Sequence, residues 1–232
     1  MGGTDMQDIH KFAAERRADT AHLPIRLCAG VHLLSGEPVG AFVETSLAFD
    51  DRPSFDVQAD KPSCPSAVDW VLARLDEVIT VGACPSVKER PIVLPVPSAG
   101  FGDPDLAPRC ADAMAVSHLC PQEICFEFSD SAFAASDKDS EPLLRAFRQR
   151  GFRVGIDARQ SWCAGLSGPC WLMVDSLRVT AKAALTNARL RDRIDFAFSA
   201  GVAVVAERPR WRDGEILADL GVHYGLRPLA DA

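Results

Sequence analysis

Short apolar runs alternate along this chain with longer stretches whose apolar residues recur every three or four positions. The first kind predicts strands and the second predicts helices. Ile25–Leu33 and Val39–Phe49 read as two strands joined by the turn Ser35-Gly36-Glu37-Pro38, so the sheet starts with an antiparallel hairpin. Asp50–Pro65 is polar and Pro-rich and reads as a loop. Ser66–Ile79 predicts a helix, because Val68, Val71, Leu72, Leu75 and Ile79 share one face and Ser66 can cap with Asp69 three residues on. Pro91–Val96 reads as a strand, Leu106–Val116 as a helix and Ile124–Phe128 as a strand. Ser129–Ser140 reads as a polar loop. Glu141–Arg150 predicts a helix, with Pro142 near its first turn and Gly151 just past its end. The strand Phe152–Ile156, the loop Ser161–Pro169, the strand Trp171–Val174 and a helical stretch over 178–199 follow. The strand Val202–Ala206 and a helix over 213–220 complete the order.

Strands alternating with helices imply βα units and a mostly parallel sheet. Roughly eight strands in 232 residues favour a closed barrel over an open Rossmann sheet. The absence of GxGxxG and P-loop motifs weakens a nucleotide-binding Rossmann sheet further. Residues 1–22 read as a short leader and 23–232 as one domain. The formal net charge of −7 speaks against a surface for nucleic-acid polymers. No apolar run approaches a membrane span, and the first twenty residues lack a signal-peptide core, so a cytoplasmic location is expected. None of the eight cysteines forms a CxxC pair and no two histidines lie at metal-ligand spacing, so the thiols are expected to be buried or partly buried.

Four of the apolar runs deliver an acid to their carboxyl ends: Glu127, Asp157, Asp175 and Glu207. Parallel barrels carry their function at that end of the strands, and several carboxylates around one opening are hard-oxygen ligands suited to Mg²⁺ or Mn²⁺. The alternative is that the acids cap helices or pair with arginines such as Arg153, Arg178 and Arg208. Arg145, Arg148, Arg150 and Arg153 read as a solvated face with ion pairs. Trp162 reads either as packing or as an exposed aromatic at a protein interface.

The order of several short words resembles that of the EAL domain, the cyclic-di-GMP phosphodiesterase barrel. Leu33-Leu34-Ser35-Gly36-Glu37-Pro38-Val39-Gly40 is similar to the family's first hairpin, and Asp69-Trp70-Val71-Leu72 to its first helix. Cys125-Phe126-Glu127-Phe128-Ser129-Asp130-Ser131 resembles "EITES", and Gly151 to Asp157 the run into "DDFGTG". Leu172-Met173-Val174-Asp175 resembles "LKID", and Val204-Val205-Ala206-Glu207 "VVAEGVE". The resemblance implies a TIM-like (β/α)8 barrel of EAL type with an antiparallel first strand. It also implies a degenerate member. The signature glutamate falls on Phe42, with Glu44 two residues on as a possible stand-in, and the dinucleotide-contacting arginine on Ser46. The metal-binding asparagine falls on Val96, the second aspartate of "DD" on Ala158, the catalytic lysine on Met173 and the second glutamate of "EGVE" on Arg210. The terminal "QGYLFG" word is absent, since Tyr224-Gly225 runs into Leu226-Arg227-Pro228. Glu127, Asp157, Asp175 and Glu207 remain as vestigial family positions.

Two-metal hydrolysis needs both cations to activate water and neutralise developing charge. On this pattern no metal, cofactor or catalysis is expected. The expected function is that of an inactive regulatory protein that binds a protein partner, in bacterial motility, biofilm or cell-cycle signalling. A cyclic-di-GMP receptor without hydrolysis is the alternative, and a residual phosphodiesterase using Glu127, Asp157 and Glu207 is a third.

Overall fold

Strand β1 (Arg26–His32) pairs antiparallel with β2 (Pro38–Glu44), as the hairpin pattern predicts, and β2 then pairs parallel with β3 (Ile92–Val96). The parallel order continues through β4 (Ile124–Ser129), β5 (Arg153–Asp157), β6 (Ser176–Thr180), β7 (Ala203–Glu207) and β8 (Tyr224–Arg227). β8 closes the ring against β1, so only β1 runs against its neighbours in the eight-stranded barrel. The absent terminal word therefore does not cost the barrel its last strand. This computed structural model describes residues 25–44, 66–85, 87–135 and 140–227. The leader 1–22, the loop 50–65 with Cys64, and Ser46 lie outside the described residues.

The helices pack outside the barrel. They are α1 (Ala67–Gly82), α2 (Leu106–Ala115), α3 (Asp130–Ala135), α4 (Ser140–Gln149), α5 (Gly168–Trp171), α6 (Ala181–Thr186), α7 (Ala188–Ser199) and α8 (Gly214–Asp219). Ser66 caps α1 by accepting the Asp69 backbone N–H at 3.1 Å, as its position predicts. Gly151 follows α4 at φ +84°, a conformation that favours glycine.

Strand alternation sorts the side chains into two cores. Phe126, Phe128 and Phe152 point outward and meet Phe147 of α4, with ring centroids 4.8–5.9 Å apart. Their neighbours Cys28, Phe42, Val93, Cys125, Val205 and Leu226 form a separate, smaller core. Cys28, Cys110, Cys125 and Cys170 are buried and Cys84 is half-buried, as expected, whereas Cys120 and Cys163 are exposed. Burial pushes the Cys110 thiol up to about 12, so it stays protonated at neutral pH.

Three expectations fail in one half of the barrel. The polar segment after β4 is not all loop, because Asp130–Ala135 forms α3. The apolar run Trp171–Val174 is not a strand: Gly168–Trp171 is a helical turn, and the strand begins at Ser176. The stretch over 178–199 is not continuously helical, since it finishes β6 and then breaks into α6 and α7 at Asn187. Asn187 caps α7 through its side-chain oxygen, which accepts the Leu190 N–H at 3.1 Å.

Candidate functional site

The carboxyl ends of β4, β5 and β7 bring Glu127, Asp157 and Glu207 to one mouth. β6 runs between β5 and β7 and adds Arg178, which lies opposite Asp157 in one register and opposite Val205 in the other. Glu127 stands opposite Gly155. A Cβ at Gly155 would sit 2.7 Å from Ser176 Oγ and 3.7 Å from the Glu127 Cβ, so glycine keeps this layer open.

Two guanidiniums occupy the mouth. Arg178 Nη1 donates to Glu127 Oε2 at 2.8 Å, and its Nη2 lies 3.9 Å from Glu207 Oε1. Arg159, in the loop after β5, grips Asp157 with Nε at 2.9 Å and Nη2 at 2.7 Å, and donates Nη1 to Glu207 Oε2 at 2.8 Å. The Arg159 backbone N–H also reaches Asp157 Oδ1 at 3.0 Å. The Arg178 guanidinium lies 5.7 Å from the centre of the Phe42 ring. Phe42, at the position of the signature glutamate, thus supplies an aromatic face to a cation.

The electrostatics follow burial. Glu127 is 1% exposed, and burial holds its pKa above the ordinary carboxylate value even though Arg178 pulls it down. Burial also pushes Asp157 up, but the hydrogen bonds and charge of Arg159 outweigh it, and its pKa lies below the usual 3.8. The Asp157 hydrogen bond holds Arg159 above its own ordinary value.

Behind the mouth the loop over 158–167 is tied to α3. The fully buried Asp130 accepts Ser161 Oγ at 2.8 Å and the backbone N–H groups of Cys163 and Ala164 at 2.7 and 3.4 Å. Its other oxygen pairs with Arg193 Nη2 at 2.7 Å, and Arg193 lies 5.3 Å from the centre of the Trp171 ring. Trp162, on the same loop, is half-buried against the main core.

Several sequence-placed residues stand elsewhere. Asp175 precedes β6 and is therefore at the amino-terminal foot of the barrel, not the mouth. There its carboxylate accepts the Val154 N–H at 2.8 Å and pairs with Arg148 at 2.6 Å. Met173 lies before the strand and packs half-buried against the outer core. The strand at this place is Ser176–Thr180, which carries Arg178 toward the mouth. Val96 belongs to the outer core, while Pro95 is the β3 residue opposite Glu127. Neither side chain is a metal ligand. Ala158 is fully buried in the outer core, and Arg210 is exposed at the start of the 3₁₀ turn Trp211–Asp213. Glu44 ends β2 opposite Arg26.

The functional residues that sequence reasoning missed are Arg159, Asp130 and Arg193. Arg159 had a local signal, since a residue two after an aspartate at a strand end meets its carboxylate. The Asp130–Arg193 pair spans 63 positions and left no such trace, whereas Arg178 is one of the arginines expected to pair with the acids and does so with Glu127, 51 positions away.

These residues do not fit a pair of divalent cations. Among the described residues no group of three or more His, Cys, Asp or Glu side chains could hold a metal ion. Both oxygens of Asp157 and Oε2 of Glu207 and Glu127 accept from arginines. Among the described residues Glu127 Oε1 is the buried mouth oxygen with no hydrogen-bond partner, and a cation there would face Arg178.

No family model matches the chain, and no curated protein matches it by sequence. Solved structures do. The EAL enzyme Bd1971 in its cAMP- and cyclic-di-GMP-bound form overlaps 97% of this chain and 66% of its own, with a TM-score of 0.59 at 15% identity. BlrP1 of Klebsiella pneumoniae, in a manganese and cyclic-di-GMP complex, overlaps 90% of this chain and 56% of its own, with a TM-score of 0.68 at 17% identity. The chain therefore spans between about half and two thirds of these two proteins. The EAL domain of Mycobacterium smegmatis DcpA covers 91% of its own length and 89% of this chain, with a TM-score of 0.65 at 16% identity. The closed barrel, its reversed first strand and these overlaps make the fold of this chain the EAL-type (β/α)8 barrel.

Proposed function

We propose that this chain is a catalytically inactive EAL-type barrel that acts as a cytoplasmic regulatory protein through a protein partner, in bacterial motility, biofilm or cell-cycle signalling. One observation carries the proposal: the three acids at the mouth are held by Arg159 and Arg178 instead of standing free as ligands. Hydrolysis of a phosphodiester by two metals needs open coordination positions and an activated water, and this donor set supplies neither.

A receptor that binds cyclic-di-GMP without cutting it is the second reading. What favours it is that BlrP1 and Bd1971, which share the fold, hold that dinucleotide. Calorimetric titration with cyclic-di-GMP, with and without Mg²⁺ or Mn²⁺, and chromatography of the product separate the readings. Neither heat of binding nor linear dinucleotide is expected. Micromolar binding without product would replace the protein-binding reading by the receptor. Release of linear dinucleotide, lost in Glu207→Gln, would establish a residual phosphodiesterase and overturn both.

A further inference from the structure

The mouth keeps acids that an inactive barrel has no evident use for. Buried carboxylates are costly without a counter-charge, so their retention needs a physical reason. We infer that the guanidiniums of Arg159 and Arg178 take the structural place of divalent cations, so that Glu127, Asp157 and Glu207 form a permanent, metal-independent ionic clasp across β4, β5, β6 and β7.

The geometry assigns each arginine a bridging role, as a shared cation would have. Arg159 joins Asp157 to Glu207, at 2.7 and 2.8 Å, and so links β5 to β7 across the intervening β6. Arg178 joins Glu127 to Glu207, at 2.8 and 3.9 Å, and so links β4 to β7. Three negative charges meet two positive ones. Glu207 is the shared member, as a bridging carboxylate is between two ions. A guanidinium differs from a metal ion in being covalently attached, so the clasp closes on folding and needs no ion from solution. Phe42 completes it, because its ring lies against Arg178 where a further carboxylate would overload the mouth with negative charge. BlrP1, which shares the fold, forms a manganese complex, so Mn²⁺ is the probe that tests the replacement.

This inference rests on the reading of the mouth as inactive, and its test does not use cyclic-di-GMP. Thermal unfolding is followed in EDTA and in millimolar MnCl₂, and Mn²⁺ binding is read from the loss of the free-ion electron paramagnetic resonance signal. The wild-type chain is expected to show the same Tm in both solutions and no bound Mn²⁺. Arg159→Ala is expected to lower Tm in EDTA by roughly 4–10 °C, with Mn²⁺ restoring most of the loss as the exposed carboxylates take the ion. A wild-type Tm that rises with Mn²⁺, or Mn²⁺ bound by the wild type, would overturn the inference. So would an Arg159→Ala protein that matches the wild type, or one that is destabilised and indifferent to Mn²⁺. If Arg159→Ala folds in neither solution, Arg159→Lys decides: a folded, Mn²⁺-indifferent protein supports a charge role, and failure to fold overturns it. Dinucleotide turnover by a wild type that ignores Mn²⁺ would sink the functional reading and leave the clasp standing.

Discussion

At the mouth of the barrel Glu127 and Arg178 pair with their side chains 1% and 12% exposed, whereas at the foot Asp175 and Arg148 meet with theirs 24% and 38% exposed. Both aspartates, Asp157 and Asp175, follow an apolar run, and both end in an arginine salt bridge under 3 Å. Their side chains are about equally exposed, and the difference between the two ends lies with Glu127, the buried neighbour of Asp157. At the foot, solvent screens the pair, and Asp175 also ties β5 to the segment before β6 through the Val154 N–H. At the mouth, Glu127 has surrendered its hydration and depends on Arg178. Similar chemistry therefore carries different energetic weight at the two ends.

Removing Arg178 should have the largest effect. Arg178→Ala leaves Glu127 buried without its cation and is expected to cost about 3–5 kcal/mol in urea unfolding. The paired change Arg178→Met with Glu127→Leu should recover most of that, because a packed apolar pair replaces an ion pair at little cost. A loss below about 1 kcal/mol for Arg178→Ala would erase the contrast between mouth and foot. Asp130→Ala should cost about 2–4 kcal/mol, since it strands Arg193 and frees the Cys163 and Ala164 amides. Hydrogen exchange should show those two amides losing protection while the amides of β4 keep theirs.

The pH dependence sharpens the comparison within the mouth. Asp157 has a folded pKa below its unfolded 3.8, so its stabilisation is complete above that value and is lost as pH falls through the folded pKa. Glu127 is shifted the other way, so its contribution is present below 4.5 and is lost as pH rises through its folded pKa. The two oppose each other in the wild type, and variants separate them. Asp157→Asn is expected to lower stability at pH 7 by about 1–2 kcal/mol and to flatten the decline below pH 3.8. An unchanged acid limb would refute the assignment. Arg148→Ala, at the foot, should cost the least, under about 1 kcal/mol, and its effect should shrink further in salt.

Much of the barrel is legible in the amino-acid pattern alone. The hairpin, the Ser66 cap, the outer phenylalanines and the strands delivering Glu127, Asp157 and Glu207 all follow from period and capping. β6 carries a different mark, since Ser176, Arg178 and Thr180 alternate with Leu177 and Val179, a strand pattern unlike the continuous apolar runs of its neighbours. The nearby run Trp171–Val174 is apolar and short, and period alone cannot tell such a run from a turn of helix. That single exchange leaves Asp175 at the foot and Met173 before the strand. Val96 packs in the outer core while its neighbour Pro95 lies opposite Glu127, because one residue along a strand changes the face.

The sequence by itself determined the alternation of strands and helices, the reversed first strand and the acids that reach the mouth. These depend on local periodicity and on residue identity, which are written along the chain. Only the tertiary structure decided that Arg159 and Arg178 would hold those acids, that Asp175 would serve the foot, and that Asp130 would tie down the loop over 158–167. Those contacts join residues up to 63 positions apart through the register of neighbouring strands and helices, and no local pattern records which charges a closed barrel brings together.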